Sequence, residues 1–504
     1  MDLSMLQIIV APTCIRAKVF FMMKSLTNLS FAAVAAVGLG LSLTGSAHGK
    51  VAKPNIVLFF IDDLGWADIG VNGSTFYETP HIDKLAKSGV NFTHSYSANP
   101  VCSPTRAALM TGKAPQRVGI TQWVRQPSEI HLKSEEVTLA EVLQKHGYVT
   151  GYIGKWHIGE KDDQMPSAQG FSWMKAVNRA GQPASYYFPF NNTKKKKSRG
   201  SYWDVPDLEG GKEGDYLTDS ITDFAIEFID ENKGKGKPFY LNVAHYAVHT
   251  PIQPPKELVA KYTAKRKKMY GDSKTPTSIQ RYGTMSRERQ DHIGYAAMME
   301  NLDMNVGRVV NHLEKNDLLE NTILIFTSDN GGHCNNKVGG MTCNRPLKSG
   351  KGWTYEGGIR VPHIVSWKGK ISPGVSDVPA ITMDHFPTLL EMAGLPLEND
   401  HHLDGKSLKS AMMGEKNAAL DDRFLAWTYP HKHGSGHLPS HAIRKDGWKL
   451  IRSESGVKYE LYHLLEDVGE SKNLAAENSQ KVAELDTLLT NWIKETTPKT
   501  PIFK

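Results

Sequence analysis

Two short acidic pairs, Asp62-Asp63 and Asp329-Asn330, carry only hard oxygen donors. Oxygen-only coordination selects Ca²⁺ or Mg²⁺ over zinc or copper. Taken singly, such a pair caps a following helix more often than it binds a metal. Here each pair sits at or just past the end of a continuous apolar run, Asn55–Ile61 in one case and Thr322–Thr327 in the other. That repetition points to a cation, with Ca²⁺ as first choice and Mg²⁺ as the alternative. A second group is Cys102-Ser103-Pro104-Thr105-Arg106, followed by Leu109, Thr111 and Gly112. A lone cysteine is usually a small buried hydrophobe. A third group is basic: Lys155 and His157 in Gly154-Lys155-Trp156-His157, His249 in Ala247-Val248-His249-Thr250-Pro251, and Lys351 in a glycine-rich run from Gly350 to Gly358. Each alone reads as a surface lysine or a packing histidine.

These residues need elements that bring them together. Runs apolar on both faces read as central strands of a parallel sheet covered by helices; Phe239–Ala244 and Val149–Ile153 join the two runs above. Helical patterns span His81–Ser88, Leu139–His146, Leu217–Asn232 and Ile293–Lys315. The alternation implies an α/β catalytic domain, a large mostly parallel sheet with helices on both faces, over residues 48–400. Ligands of such sheets lie beyond the carboxyl ends of the strands, where both acidic pairs fall. Past residue 400 come short strand patterns at Phe424–Thr428, His441–Arg444, Trp448–Ile451 and Tyr459–Leu464, then an amphipathic helix over Gln480–Lys494. This predicts a smaller α+β subdomain over 401–504, an antiparallel sheet with one helix.

The chain has 504 residues, 22% of them charged and 40% hydrophobic, which suits a globular protein. Lys24 precedes an apolar run from Leu29 to Leu43 that ends in small residues at Thr44–Ala47. This reads as a leader and signal peptide over residues 1–47, so the mature protein is expected in the periplasm or secreted, without a membrane span. Cys14 falls in that leader. Cys334 and Cys343 bracket a Gly- and Asn-rich loop and either form a disulfide or remain two thiols. Cys102 is then unpaired in an exported protein. The net charge is +7, with a lysine run at Lys194–Lys197 that reads as a solvated loop or as attraction toward a polyanion. Nucleic acid is not an expected partner, since no recognition motif accompanies the run.

The segment from Cys102 to Gly112 resembles the signature of the type I sulfatases, in the alkaline phosphatase superfamily. Asn55–Asp63, Gly154–His157, Ala247–Pro251, Thr327–Gly331 and Gly350–Gly358 resemble that family's further motifs, in family order, and Trp448–Ile451 through Glu460–Tyr462 resembles its small domain. The resemblance implies an alkaline-phosphatase-like fold and sulfate ester hydrolysis. It implies that Cys102 is matured to formylglycine by a maturation enzyme and hydrated to a geminal diol. One diol hydroxyl, bound to the metal beside Asp62, Asp63, Asp329 and Asn330, attacks sulfur; His249, assisted by Lys351, protonates the leaving alcohol. A covalent sulfoenzyme results, and His157 then takes a proton from the second hydroxyl to release sulfate. Arg106, Lys155 and Lys351 supply positive charge. His245 competes with His249 and is expected to be structural or supporting.

Export and the basic, aromatic loops favour a sulfated glycan, with carrageenan the first guess among marine polysaccharides. Trp173, Tyr186, Tyr187, Tyr202 and Trp203 are candidates for stacking on sugar rings, or for the core. Arg125, Arg179, His333, Arg345 and Lys348 are candidate contacts to neighbouring sulfates or carboxylates. Three alternatives stand: a phosphate or phosphonate ester hydrolase of the same superfamily, a catalytically silent lectin for sulfated glycans, and, weakest, a nucleic-acid binder.

Overall fold

The alternation of apolar residues along Asn55–Ile61 sends side chains to two separate cores. Val57, Phe59 and Ile61 enter one, and Ile56, Leu58 and Phe60 the other. A strand buried on both faces must lie inside a sheet covered by helices on each side. The computed structural model, which describes residues 53–125, 127–191, 200–280, 283–401, 404–500 and 502, shows this arrangement. The leader and the Lys194–Lys197 run lie outside the described residues.

The central sheet has eight strands: β1 (Asn55–Ile61), β2 (Val90–Phe92), β3 (Val149–Gly154), β4 (Trp173–Lys175), β5 (Phe239–Ala244), β6 (Thr322–Ser328), β7 (His363–Ser366) and β8 (Gly374–Ser376). Their spatial order is β8-β2-β7-β6-β1-β5-β3-β4. Only β7 runs against the rest, antiparallel to β6 and β2, while every other pairing is parallel. Five helices matter for the site: α1 (Cys102–Thr111), α2 (Leu139–Lys145), α3 (Leu217–Asn232), α4 (Ile293–Lys315) and α5 (His385–Met392). α3 and α4 cover one face through Leu217, Ile221, Phe228, Leu302 and Val306. α1, α2 and α5 cover the other through Leu109, Leu139, Leu143, Phe386 and Leu389. Among the described residues no helix is long and apolar enough to cross a membrane.

Four antiparallel strands follow in sequence order: β9 (Leu425–Tyr429), β10 (Ser440–Lys445), β11 (Trp448–Ser453) and β12 (Tyr459–His463), then α6 (Ser479–Thr496). One face of this sheet holds Ala426, Ile443, Leu450 and Leu461 against Val482, Leu485 and Leu489 of α6. Its other face sets Trp427, Ile451 and Tyr462 against Tyr96, Trp353 and Tyr355. Residues 52–504 form one compact unit, so the small sheet is a layer built onto the segment that carries Lys351. Buried Lys449 reinforces that junction, with Nζ 3.0 Å from Glu356 and 2.8 Å from Glu470.

Candidate active site

The four neighbouring strands β6, β1, β5 and β3 deliver the chemical groups at their carboxyl ends. Asp62 and Asp63 follow β1, Asp329 and Asn330 follow β6, Lys155 and His157 follow β3, and His249 lies on the loop after β5. Backbone bonds carry the ladder past the strand ends: Asp329 N donates to Ile61 O at 3.0 Å, Asp62 N to Ala247 O at 3.2 Å, and Lys155 N to Ala244 O at 2.8 Å. Asp63 and His157 have φ of 59° and 61°, a left-handed conformation unusual for residues with a Cβ. The surrounding bonds hold this strain, which is common where side chains must be aimed at a ligand.

The acidic residues converge. Asp62, Asp63 and His249 each offer a ligand atom within 4.8 Å of the others. Lys155 Nζ lies 2.8 Å from Asp62 Oδ2, Lys351 Nζ 2.6 Å from Asp63 Oδ1, and Arg106 Nη2 2.8 Å from Asp329 Oδ2. Asn330 Nδ2 donates to Asp63 Oδ1 at 2.8 Å, and Asp63 N to Asp329 Oδ1 at 3.2 Å. The adjacent carboxyls are held differently. Burial outweighs the attraction of Lys155 and raises Asp62. Burial opposes ionisation of Asp63 too, but Lys351, His249 and His333 hold it well below the usual carboxylate range. Two buried oxygens remain without a partner, Asp62 Oδ1 and Asn330 Oδ1. Such oxygens are costly unless something binds them. This donor set fits a hard divalent cation held by Asp62, Asp63, Asp329 and Asn330. His249 Nε2, 3.6 Å from Asp63 Oδ2, brings an imidazole to the edge of an otherwise all-oxygen set.

Cys102 is the first residue of α1, and its Sγ lies 3.2 Å from His157 Nδ1. The other ring nitrogen, Nε2, is 3.0 Å from Val124 O, so it carries the proton and leaves Nδ1 as an acceptor toward residue 102. Burial, then Lys155 and Arg106, push His157 well below its ordinary pKa, which keeps the ring neutral. Gly181 fits against this ring: a Cβ there would lie 2.2 Å from His157 Cε1. His249 Nδ1 faces Thr250 O at 2.9 Å, and Tyr186 Oη holds that loop by donating to Tyr246 O and His249 O. Burial, then Lys351, lower the pKa of His249 as well.

Cys102, His157, His249, His333, Lys351 and Arg125 line one cavity of about 920 Å³. Arg106 and Lys155 do not reach it. They are 1% and 0% exposed and lie beneath the acids as their counter-charges. Of the five candidate aromatic residues, Tyr202 and Trp203 line the cavity. Trp173 packs on Phe224 and Phe228, Tyr187 on Tyr216, and Tyr186 serves the His249 loop. The structure does not bring three basic candidates to this cavity. Arg179 pairs with Asp162 at 2.5 Å beside a neighbouring hollow. Arg345 pairs with Glu288. Lys348 lies 4.2 Å over the Tyr355 ring and donates to Glu470 O, at the junction with the small sheet. His245 is buried off the cavity with neither ring nitrogen bonded. Cys334 and Cys343 are buried free thiols, not a disulfide. Sequence reasoning missed Trp123, Gln182, Asn336, Lys432 and His433, which also line the cavity. A signal existed for the last two: His431-Lys432-His433-Gly434-Ser435-Gly436-His437 is dense in histidine and glycine between two strands.

This site could hold a divalent cation beside groups suited to an anionic ester, and comparison with known proteins gives the family. The sulfatase family profile matches residues 54–395, and that of the N-sulphoglucosamine sulphohydrolase C-terminal region matches residues 349–498. A sulfatase of Formosa agariphila is 30% identical, covering 88% of each chain. The N-acetylgalactosamine-6-sulfatase of Canis lupus familiaris is 33% identical over 76% of this chain and 69% of its own. The crystal structure of Ps i-CgsB in complex with k-i-k-neocarrahexaose superposes with a TM-score of 0.76 at 30% identity, covering 90% of this chain and 94% of that one. The chain belongs to the sulfatase family and is a sulfuric ester hydrolase.

Proposed function

We propose that this protein removes sulfate esters from a sulfated polysaccharide or oligosaccharide of the carrageenan type, with residue 102 as formylglycine and Ca²⁺ at the acidic cluster. The observation that carries this reading is Cys102 in the cavity wall, 3.2 Å from a neutral His157 and beside a cluster with two unpartnered oxygens. As a thiol, Cys102 is a poor nucleophile: burial pushes it above its ordinary range, against the pull of Lys155 and Lys351. Oxidation to the aldehyde and hydration replace it with two hydroxyls. Bound at Asp62, Asp63, Asp329 and Asn330, a divalent cation would lower the pKa of a hydroxyl and withdraw charge from the sulfate oxygens.

The chain's own groups do the rest. One hydroxyl of residue 102 attacks sulfur, and the sulfur–oxygen bond to the sugar breaks. Lys351 faces the departing charge, and His249, taking up a proton beside the bound anion, passes it to the sugar oxygen. His157 Nδ1 is placed to accept the proton of the second hydroxyl as the carbon–oxygen bond to sulfate breaks and the aldehyde returns. Support for a glycan substrate comes from Trp123, Tyr202 and Trp203 in the wall and from the carbohydrate named for the Ps i-CgsB complex. The leader pattern supports export to the periplasm or beyond. Sulfate release from defined sulfated galactan oligosaccharides, by protein produced with a maturation enzyme, tests the proposal. Faster cleavage of matched phosphate esters would instead favour the phosphohydrolase alternative.

A further inference from the structure

The catalytic cavity contains more positive charge than a single sulfate uses. Among the described residues its lining includes Lys351, Arg125 and Lys432, together with His157, His249, His333 and His433, and no aspartate or glutamate. Lys351 is engaged with Asp63. The other two cations are not. Arg125 is exposed and lies over Trp123, its guanidinium carbon 4.6 Å from the ring centroid, and it forms no ion pair among the described residues. Lys432 is exposed and makes neither a hydrogen bond nor an ion pair among them.

The segment that presents Lys432 is built rather than loose. His431 Nε2 lies 3.0 Å from Thr121 Oγ1 on one side. On the other, Trp353 Nε1 and Thr284 Oγ1 both donate to Ser435 O at 3.1 Å. His433 Nδ1 takes the Ser435 N–H at 3.2 Å, and a Cβ at Gly352, next to Lys351, would lie 2.1 Å from that same nitrogen. The β9–β10 connection is thus anchored at both ends and wedged against the Lys351 loop. Arg125 and Lys432 both line this cavity; burial first, and Arg125 after it, lowers the pKa of His431, the residue beside Lys432. Two exposed cations of one cavity lining that hold no ion pair among the described residues form an anion-receiving corner.

We infer that Arg125 and Lys432 form a second anion subsite, so that the preferred substrate carries a further sulfate or carboxylate on or beside the sugar whose sulfate is removed. This rests on the sulfated-glycan reading above and adds that the small C-terminal sheet, through Lys432, sets selectivity. The guanidinium would hold the anion with two parallel N–H donors, and Lys432 would add a point charge.

The test uses two galactose disaccharides that carry the same scissile sulfate and differ only in a second sulfate on the adjoining ring. For the full chain, kcat/KM on the disulfated sugar should exceed that on the monosulfated one by about tenfold or more, because a charge-assisted contact commonly contributes that much. Arg125→Ala and Lys432→Ala should each cut this ratio several-fold, mainly through KM, and the double variant should bring it near one. Lys432→Arg should retain most of it. The ratio should also shrink with added salt, since the corner is solvent-exposed. A ratio that the double variant leaves unchanged within twofold overturns the subsite while leaving the hydrolase reading intact. Failure of the unaltered, matured protein to release sulfate from either sugar overturns the underlying reading and this inference with it.

Discussion

Arg106→Met removes the charge that sits under Asp329. Arg106 donates from Nε at 3.0 Å and from Nη2 at 2.8 Å to Asp329 Oδ2, and from Nη1 to Lys155 O at 2.7 Å. Its guanidinium carbon also lies 5.0 Å from the centre of the Phe60 ring. Both partners are buried, at 1% and 0% exposure, so water cannot replace the lost donors. Breaking one side of a buried pair strands the remaining charge and costs about 3–5 kcal/mol. Methionine keeps most of the packing volume, so nearly all the loss comes from the stranded Asp329 rather than from a cavity. Urea unfolding at pH 7 in a chelator, where no cation can compensate, should show that loss as a lower midpoint at unchanged slope. Asp329→Asn in the Arg106→Met background should recover part of it, about 2 kcal/mol of coupling in a double-mutant cycle. Arg106→Lys should fall between, because an ammonium cannot supply the paired donors. A loss below about 1 kcal/mol, or strict additivity in the cycle, would refute the view that Arg106 acts as a buried counter-charge.

Cys102→Ala should abolish sulfate release and leave the unfolding midpoint within about 1 kcal/mol of the parent, since only a small group is lost from a polar site; large destabilisation would show a packing role instead. Chelation should stop turnover, and Ca²⁺ should restore it more fully than Mg²⁺; activity that survives exhaustive chelation contradicts the assignment of the acidic cluster. Asp303 accepts from His81 N and Ile82 N, and burial raises its pKa to about 7. A carboxyl with a raised folded pKa binds its proton more tightly in the native state, so its contribution to stability is lost as pH rises through the range from about 4 to 7. Asp303→Asn, measured against the parent at pH 4 and pH 8, should therefore gain on the order of 3 kcal/mol in relative stability at the higher pH, and a pH-independent difference would contradict the shift.

Much of the site was readable in the chain because it is laid out along strands. A short run such as Asn55–Ile61, rich in β-branched and aromatic residues, reads as a doubly covered strand, and the position just past it is where α/β sheets bind ligands. Asp62, Asp63, Asp329 and Asn330 are therefore legible without coordinates. Less legible is which cation faces substrate and which serves the acids. Arg106, Lys155 and Lys351 look alike in sequence, yet only Lys351 reaches the cavity wall, because α1 and β3 turn the first two beneath the carboxylates. Arg179, Arg345 and Lys348 find partners in Asp162, Glu288 and Glu470, contacts that no local pattern encodes. Trp123 and Lys432 come from segments remote in sequence, and the place of Lys432 depends on how the small sheet docks against Trp353 and Tyr355.

The most direct test of the central claim joins two measurements on one sample: the mass of the peptide containing residue 102, and sulfate released from a sulfated galactan oligosaccharide. With the peptide mass showing the aldehyde, sulfate should appear with time, and Cys102→Ala prepared in parallel should release none. A fully converted residue 102 with no sulfate released from any defined sulfated galactan oligosaccharide would contradict the account.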